Sequence, residues 1–184
     1  MENRRRQNNR TRHRLNAFGN TVIALAVAVG LFFVVFGLWL IPERVSGSSM
    51  APMFAEDEII LVSRISKYFV SPRRGDVILF RDPGGNGLMI RRVIGLEGET
   101  VETVGGRTFI GSCPLDESAY LPAEITAGDS APLEVPENAY YVLGDNRGET
   151  YDSRTASFGC VRTEEIIGIV RVRISPLSRL TFFG

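Results

Sequence analysis

The sequence has 184 residues, enough for one domain of ordinary size and a short additional segment. Apolar residues make up 44% of it, which excludes disorder throughout, and 21 basic residues balance 21 acidic ones. Two cysteines exclude a disulfide scaffold and a four-thiolate metal site. The chain has a single histidine, His13, and a single lysine, Lys67, so few side chains are available as a base near neutral pH.

The N-terminal part joins a basic segment to a long apolar run. Residues 1–20 contain six arginines and one acid, and residues 21–41 carry no charge. As a helix this run spans roughly 31 Å, about the thickness of a hydrocarbon core. It favours an uncleaved transmembrane anchor over a signal peptide, which has a shorter apolar region, and over a buried core helix. The positive-inside rule then places residues 1–20 in the cytoplasm and residues 42–184 outside. The arginines could also bind nucleic acid or anionic lipid, but orientation of a span is the simpler explanation.

Residues 42–184 show short apolar or alternating runs separated by turn residues, which predicts antiparallel strands. Asp82–Gly87 and Gly105-Gly106 are typical hairpin connections, and residues 112–138 have the composition of a loop. The predicted fold class is therefore mostly β, an antiparallel β ectodomain on one N-terminal transmembrane helix. The predicted strands are Asp57–Val62, Asp76–Phe80, Leu88–Ile94, Glu99–Val104, Arg107–Ile110, Ala139–Leu143 and Ile166–Ile174.

Three polar stretches stand out from this pattern. A Gly/Ser turn, Ser46–Pro52, follows the apolar run, and an arginine pair lies within the apolar stretch Ile90–Leu96. Gly144–Arg154 packs several ionised groups and hydroxyls into 11 residues at the end of an apolar strand. Charges at such density must pair with one another, and such clusters normally support a functional site.

In this order the stretches resemble type I signal peptidases, the membrane-bound serine proteases that remove signal peptides, and the resemblance covers nearly the whole chain. Four boxes carry it. They are Ser49-Met50-x-Pro52, similar to the nucleophile motif, Arg74-Gly75-Asp76-Val77, similar to a strand-entry box, Arg92-Val93-Ile94-Gly95, similar to the box after the catalytic lysine, and Gly144-Asp145-Asn146-Arg147 with Asp152-Ser153-Arg154, similar to the family's most distinctive box.

The resemblance implies a serine endopeptidase that needs no cofactor or metal and removes N-terminal signal peptides from secreted precursors at the outer face of the plasma membrane. Its partners would be signal-peptide-bearing preproteins, the lipid bilayer and the secretion machinery, with no nucleic acid. Substrate would bind as an added strand at an exposed sheet edge. Exposed apolar side chains beside the site, Met50, Met53 and Phe54, would help the ectodomain adhere to lipid.

By the same resemblance Ser49 is the nucleophile, and its backbone N–H contributes to the oxyanion hole. Gly47 stands where some members carry a serine hydroxyl, so that position offers only backbone donors. Thr150 matches a hydroxyl near the lysine, and Asp152 with Arg154 matches a supporting ion pair. Three further residues of the matched boxes are expected to support the site: Met50, Asp145 and Arg147.

One position departs from the family. The lysine that serves as general base should stand directly before Arg92, and the sequence has Arg91 there. A guanidinium stays protonated in proteins, so Arg91 cannot take the Ser49 proton as a neutral lysine does. His13 is expected in the cytoplasm, Lys67 lies outside the matching box, and pairing with Arg154 would keep Asp152 a weak base.

Two function classes therefore stay open. The first is a signal peptidase with reduced activity or an unfamiliar base, and the second is a peptidase-like protein that binds or assembles secreted or pilin-like substrates without cutting them. Cys113 and Cys160 leave a disulfide open as well, because pairing cannot be read from spacing.

Overall fold

The computed structural model describes residues 19–34, 39–65, 69–85, 87–122 and 128–183. The chain divides after Trp39 into two units. In the first unit, residues 19–34 are helical and their apolar side chains are largely exposed. Among the described residues, no helix is both long and apolar enough to cross a membrane.

Several sequence predictions fall outside the described residues. The six arginines and His13 lie before residue 19, part of the predicted anchor lies at residues 35–38, and Lys67 belongs to residues 66–68. The boundary of the predicted anchor is wrong at its end, because Leu40 and Ile41 belong to the first strand rather than to a helix.

The second unit is a mostly β domain in which every described strand pairing is antiparallel, as predicted. Its strands are β1 (Leu40–Arg44), β2 (Ile59–Ser63), β3 (Val77–Arg81), β4 (Leu88–Gly95), β5 (Thr100–Val104), β6 (Arg107–Ile110), β7 (Cys113–Pro114), β8 (Ser130–Glu134), β9 (Ala139–Leu143), β10 (Val161–Arg162), β11 (Ile166–Ser175) and β12 (Thr181–Phe182). Two 3₁₀ turns, Thr163–Glu165 and Leu177–Arg179, flank β11.

The strands form two sheets. The larger has the order β1-β2-β11-β3-β4-β9-β10, with β12 paired to β11, and the smaller has the order β7-β6-β5-β8. Strand β3 shows why the larger sheet is stable: Val77 and Leu79 pack into one hydrophobic cluster, while Ile78 and Phe80 pack into another. Side chains alternate between the faces of a strand, so a strand covered on both faces is apolar throughout.

All seven predicted strands are present, with ends that differ by at most two residues. The main omission is β8, which lies inside the predicted loop 112–138. Its sequence, Ser-Ala-Pro-Leu-Glu, contains a proline, and its side chains are exposed or half-buried because it lies at the edge of the smaller sheet. Edge strands tolerate proline and lack a strong apolar pattern, so composition alone indicates a loop there.

A close backbone approach in the larger sheet gives a stability prediction. A Cβ atom at Gly168 of β11 would overlap the carbonyl oxygen of Ser63 in β2. We expect Gly168→Ala to lower the free energy of unfolding by about 1–3 kcal/mol, because backbone must move to admit the methyl group. Gly128→Ala is the control, since a Cβ at Gly128 meets nothing within 4 Å. Denaturant unfolding measures both, and equal stability of the two variants would contradict the packing argument.

Candidate active site

The turn that carries Ser49 is anchored by core side chains. The amide of Ala51 donates to the carbonyl of Ser48 (3.0 Å), and the amide of Phe54 donates to the carbonyl of Met50 (2.8 Å). Met50 and Phe54 are completely buried. The expectation that they present an apolar surface to lipid is therefore wrong, because their burial is what fixes the turn.

Arginine side chains hold the far end of this turn. Arg173 of β11 donates to the carbonyl of Met53, and Arg179 donates to the carbonyls of Pro52 (3.1 Å) and Met53 (3.2 Å). Glu58 neutralises both guanidinium groups, with Nη1–Oε distances of 3.4 Å to Arg173 and 2.5 Å to Arg179. The turn is thus fixed at one end by apolar packing and at the other by charge-assisted hydrogen bonds.

Arg91 of β4 lies directly against Ser49. Its Nη1 donates to Ser49 Oγ at 2.7 Å and to its neighbour's carbonyl, that of Ile90, at 2.8 Å. Its Nη2 donates to the carbonyl of Tyr151 at 2.9 Å. Ser49 is 8% exposed and Arg91 is 5% exposed, so only a small part of this contact is open to water.

Burial lowers the pKa of the Arg91 guanidinium, and the negative charges of Asp152, Glu149 and Asp82 act in the opposite direction. An arginine starts from so high a pKa that it remains protonated near neutral pH. Arg91 is therefore a hydrogen-bond donor to the Ser49 oxygen and not an acceptor of its proton.

The box Gly144–Arg154 meets the serine turn through backbone. The amide of Asn146 donates to the carbonyl of Ser49 at 3.0 Å. A Cβ atom at Gly144 would lie 2.5 Å from the same oxygen, so any larger residue there would push the two segments apart. The sequence predicts that these segments share one site, and the structure brings them into contact.

Buried ion pairs fix the box from both sides. Arg92 donates two hydrogen bonds to the carboxylate of Asp145, of 2.7 and 2.5 Å, and a third to the carbonyl of Gly75 at 2.7 Å. Asp145 is completely buried. Arg154 likewise donates two hydrogen bonds to the carboxylate of Asp152, of 2.9 and 2.7 Å, as the sequence predicts. Such paired charges stabilise a fold only when both partners are present.

A third pair ties the box to the smaller sheet. Arg147 donates from Nη1 to Glu117 Oε2 at 2.8 Å and from Nη2 to Glu117 Oε1. Its Nη1 also donates to the hydroxyl of Thr108 in β6 at 3.2 Å, and its Nε donates to the carbonyl of Gly144 at 3.0 Å. Arg147 is one of the largest completely buried side chains, so it is a structural support of the box rather than a surface charge.

Thr150 and Gly47 are the remaining candidates. Thr150 is exposed, and Arg91 donates to the carbonyl of Tyr151 rather than to the Thr150 hydroxyl, so the hydroxyl expected near the lysine position is not a hydrogen-bond partner of Arg91. Gly47 has a φ of +75°, which explains a glycine at that turn position. Cys113 and Cys160 are both unpaired thiols, which closes the question of a disulfide.

Sequence reasoning missed four residues of the site, which form two side-chain hydrogen bonds. Ser48 Oγ donates to Glu149 Oε1, and the hydroxyl of Tyr151 donates to Asp82 Oδ1 at 2.9 Å. A cleft of about 390 Å³ lies here. It is lined by Glu43–Ser49, Leu79, Leu88–Arg91, Glu149 and Tyr151. No sequence signal marks Tyr151, since its contribution to Arg91 is a main-chain carbonyl.

Comparison with known proteins identifies the family of this chain. A family model described as "Signal peptidase, peptidase S26" matches residues 18–175. The chain belongs to the signal peptidase family. A signal peptidase I from Leptolyngbya laminosa is 37% identical over 172 residues, covering 88% of this chain and 80% of the relative. A probable signal peptidase I-2 from Synechocystis is 31% identical, covering 88% of this chain and 74% of the relative.

A solved crystal structure is also similar to this chain. A signal peptidase I from Enterococcus faecalis has 32% sequence identity and a TM-score of 0.45, covering 54% of this chain and 96% of that chain. The named relatives support a signal peptidase I-like function, and the alternative of binding without cleavage is not favoured.

The Arg147–Glu117 pair gives a pH-dependent stability prediction. Burial raises the pKa of Glu117, but the hydrogen bonds and charge of Arg147 outweigh burial and hold this pKa below its ordinary value of 4.5. The pair therefore stabilises fully above about pH 4.5, and its contribution is lost as the pH falls through the folded-state pKa. Glu117→Gln should cost about 3 kcal/mol at pH 7, and the difference from the unmodified protein should shrink toward pH 3.

Urea unfolding at pH 7, 5 and 3.5 measures this difference. Glu102→Gln is the matched control, because Glu102 lies in β5 of the smaller sheet and forms no ion pair within the described ranges. A Glu117→Gln deficit that stays constant over these pH values would contradict the charge-pair explanation.

Proposed function

We propose that the chain is a signal peptidase I-type serine endopeptidase in which Ser49 attacks the scissile carbonyl and Arg91 holds the nucleophile from the position of the family's lysine. The observation that carries this proposal is the 2.7 Å contact between Arg91 Nη1 and Ser49 Oγ inside the cleft. Ser49 stands at the family's nucleophile position and Arg91, on β4, stands at its lysine position, and the two side chains are in contact.

The chemistry differs from that of a Ser–Lys dyad. The guanidinium has no lone pair for the Ser49 proton, so in this proposal the proton passes to solvent in the cleft while Oγ bonds to the carbonyl carbon. The positive charge of Arg91 stabilises the Ser49 alkoxide and the anionic tetrahedral intermediate. Asp152 does not replace the base, because both of its oxygens accept hydrogen bonds from Arg154 or Gly144.

The open edge of β4 suits an extended substrate. β4 pairs with β3 through Leu88–Arg92, whereas its pairing with β9 begins only at Arg92. Among the described residues, the segment Leu88–Arg91 therefore pairs with a strand on one side only, and it lines the same cleft as Ser49. We infer that a signal-peptide segment of a secreted precursor adds a strand along this edge, which places its cut site at Ser49.

The membrane setting is also part of the proposal. Residues 1–20 would lie in the cytoplasm, the apolar run up to Trp39 would supply the anchor, and the β domain that begins at Leu40 would lie outside as the peptidase domain. The absence of charge over residues 21–41 and the helix over residues 19–34 support it. Three strongly exposed apolar side chains of the peptidase domain would contact lipid in place of Met50 and Phe54: Phe69, Leu177 and Phe182.

Preprotein cleavage by the purified full-length protein tests the site. Ser49→Ala should abolish cleavage, because among the described residues Arg91 donates to no other hydroxyl. Arg91→Lys should raise the rate about 100- to 10,000-fold, the usual contribution of a general base, provided that burial keeps the lysine neutral.

Two exposed positions provide matched controls for these changes. Ser112→Ala and Arg107→Lys make the same substitutions away from the cleft, and both should leave the rate unchanged. Cleavage that survives Ser49→Ala would contradict the nucleophile assignment. A fast unmodified enzyme that Arg91→Lys does not accelerate would show that another group acts as the base.

Protease protection tests the topology. Protease added to intact spheroplasts should digest residues 42–184, and the same treatment of sealed inside-out vesicles should spare them. The reason is that the arginines of residues 1–20 resist translocation. Immunoblotting with antibodies to each segment reads the result, and full protection of residues 42–184 in spheroplasts would refute the proposed orientation.

A further inference from the structure

Arg91 is a buried cation with no carboxylate partner. It is 5% exposed, yet within the described part of the chain it forms no ion pair, and its hydrogen bonds go to a hydroxyl and two carbonyls. Its Nε is buried without any hydrogen-bond partner. Every other deeply buried arginine of the site, such as Arg92 or Arg147, grips an acid.

The acids around Arg91 are already engaged elsewhere. Asp152 is held by Arg154, Glu149 accepts from Ser48, and Asp82 accepts from Tyr151. They act on Arg91 only at longer range. A buried charge that is not paired is costly, so an anion that enters the cleft gains an unusually strong interaction.

The guanidinium has donor capacity left for such an anion. It carries five N–H groups, of which two on Nη1 and one on Nη2 are used. Two N–H groups remain, the second one on Nη2 and the one on Nε. The N–H that points at Ser49 Oγ can also reach an oxygen placed beside that hydroxyl. A planar carboxylate is the anion that matches such an arrangement.

We propose that the cleft at Arg91 is a binding site for the free C-terminal carboxylate of a peptide, so that the protein retains the signal peptide it has released. The inference rests on the proposed function, which places the cut end at Ser49. When water attacks the acyl-enzyme, the ester bond to Oγ breaks, Oγ regains a proton, and the peptide acid ionises. Its carboxylate then lies beside Ser49 Oγ, the atom to which Arg91 Nη1 donates at 2.7 Å. A neutral lysine at this position would leave the carboxylate without a counter-charge.

Binding to the full-length protein in detergent micelles tests this without turnover. The probe is a fluorescent apolar peptide that ends in alanine, prepared as the free acid and as the C-terminal amide. We expect the acid to bind at least 10-fold more tightly than the amide. The ratio should stay constant from pH 6 to 9, since the carboxylate and the guanidinium are both fully charged across that range.

Substitution of the arginine identifies the group responsible. Arg91→Met and Arg91→Gln should bring the acid-to-amide ratio to about one, whereas Arg107→Met, at an exposed arginine of β6, should keep the full preference. Two different replacements guard against one that fails to fold, and the amide's affinity reports whether the cleft is intact.

The possible results separate the two proposals. Equal affinity of acid and amide for the unmodified protein overturns this inference, as does a preference that persists in both Arg91 variants. Absence of Ser49-dependent preprotein cleavage contradicts the proposed function. It then also contradicts the retention of the signal peptide, which depends on that function. Equal affinities together with intact cleavage overturn the inference alone.

Discussion

The contact of Gly144 and Asn146 with the carbonyl oxygen of Ser49 is the constraint on which the site depends. It joins a turn that follows β1 to a box that follows β9, two segments almost 100 residues apart in sequence. The hydroxyl of Ser49 can meet Arg91 only because its main chain is held at this distance. Gly144 allows the approach because it has no side chain.

Buried arginine–carboxylate pairs of the box support that contact. Arg92, Arg147 and Arg154 each bind an acid in the interior, and each also donates to a main-chain carbonyl. The guanidinium groups therefore neutralise carboxylates and hold loops at once. Removing either partner of such a pair leaves an uncompensated charge, so these interactions specify the geometry of the box more strongly than they raise its stability. Arg91 is the exception, and its unpaired charge faces the cleft.

The sequence allows much of this arrangement to be predicted, and the limits have physical causes. Strands such as β3 and β9 are recognisable because burial on both faces requires continuous apolar residues, whereas β8, at an edge, carries no such requirement. Ser49 and Arg91 could be paired through the family boxes. Glu117 could not be matched to Arg147, because a long-range ion pair leaves no local pattern, and the Tyr151 carbonyl is a main-chain group that any residue would supply. Met50 and Phe54 were misjudged because apolar residues in a turn can face either the core or the solvent.

The hydrogen bonds of Arg173 and Arg179 to the turn that carries Ser49 have a consequence for the order in which the chain folds. Arg173 donates to the carbonyl of Met53 across a sequence separation of 120 positions, and Arg179 donates to the carbonyl of Pro52 across 127. The groups that fix the turn are therefore synthesised long after the turn itself. Contacts of such long range form late in folding, after the intervening strands have assembled. A ribosome-bound chain therefore carries Ser49 long before it carries a finished turn, and Ser49 acquires its geometry only after Arg173 and Arg179 have been synthesised.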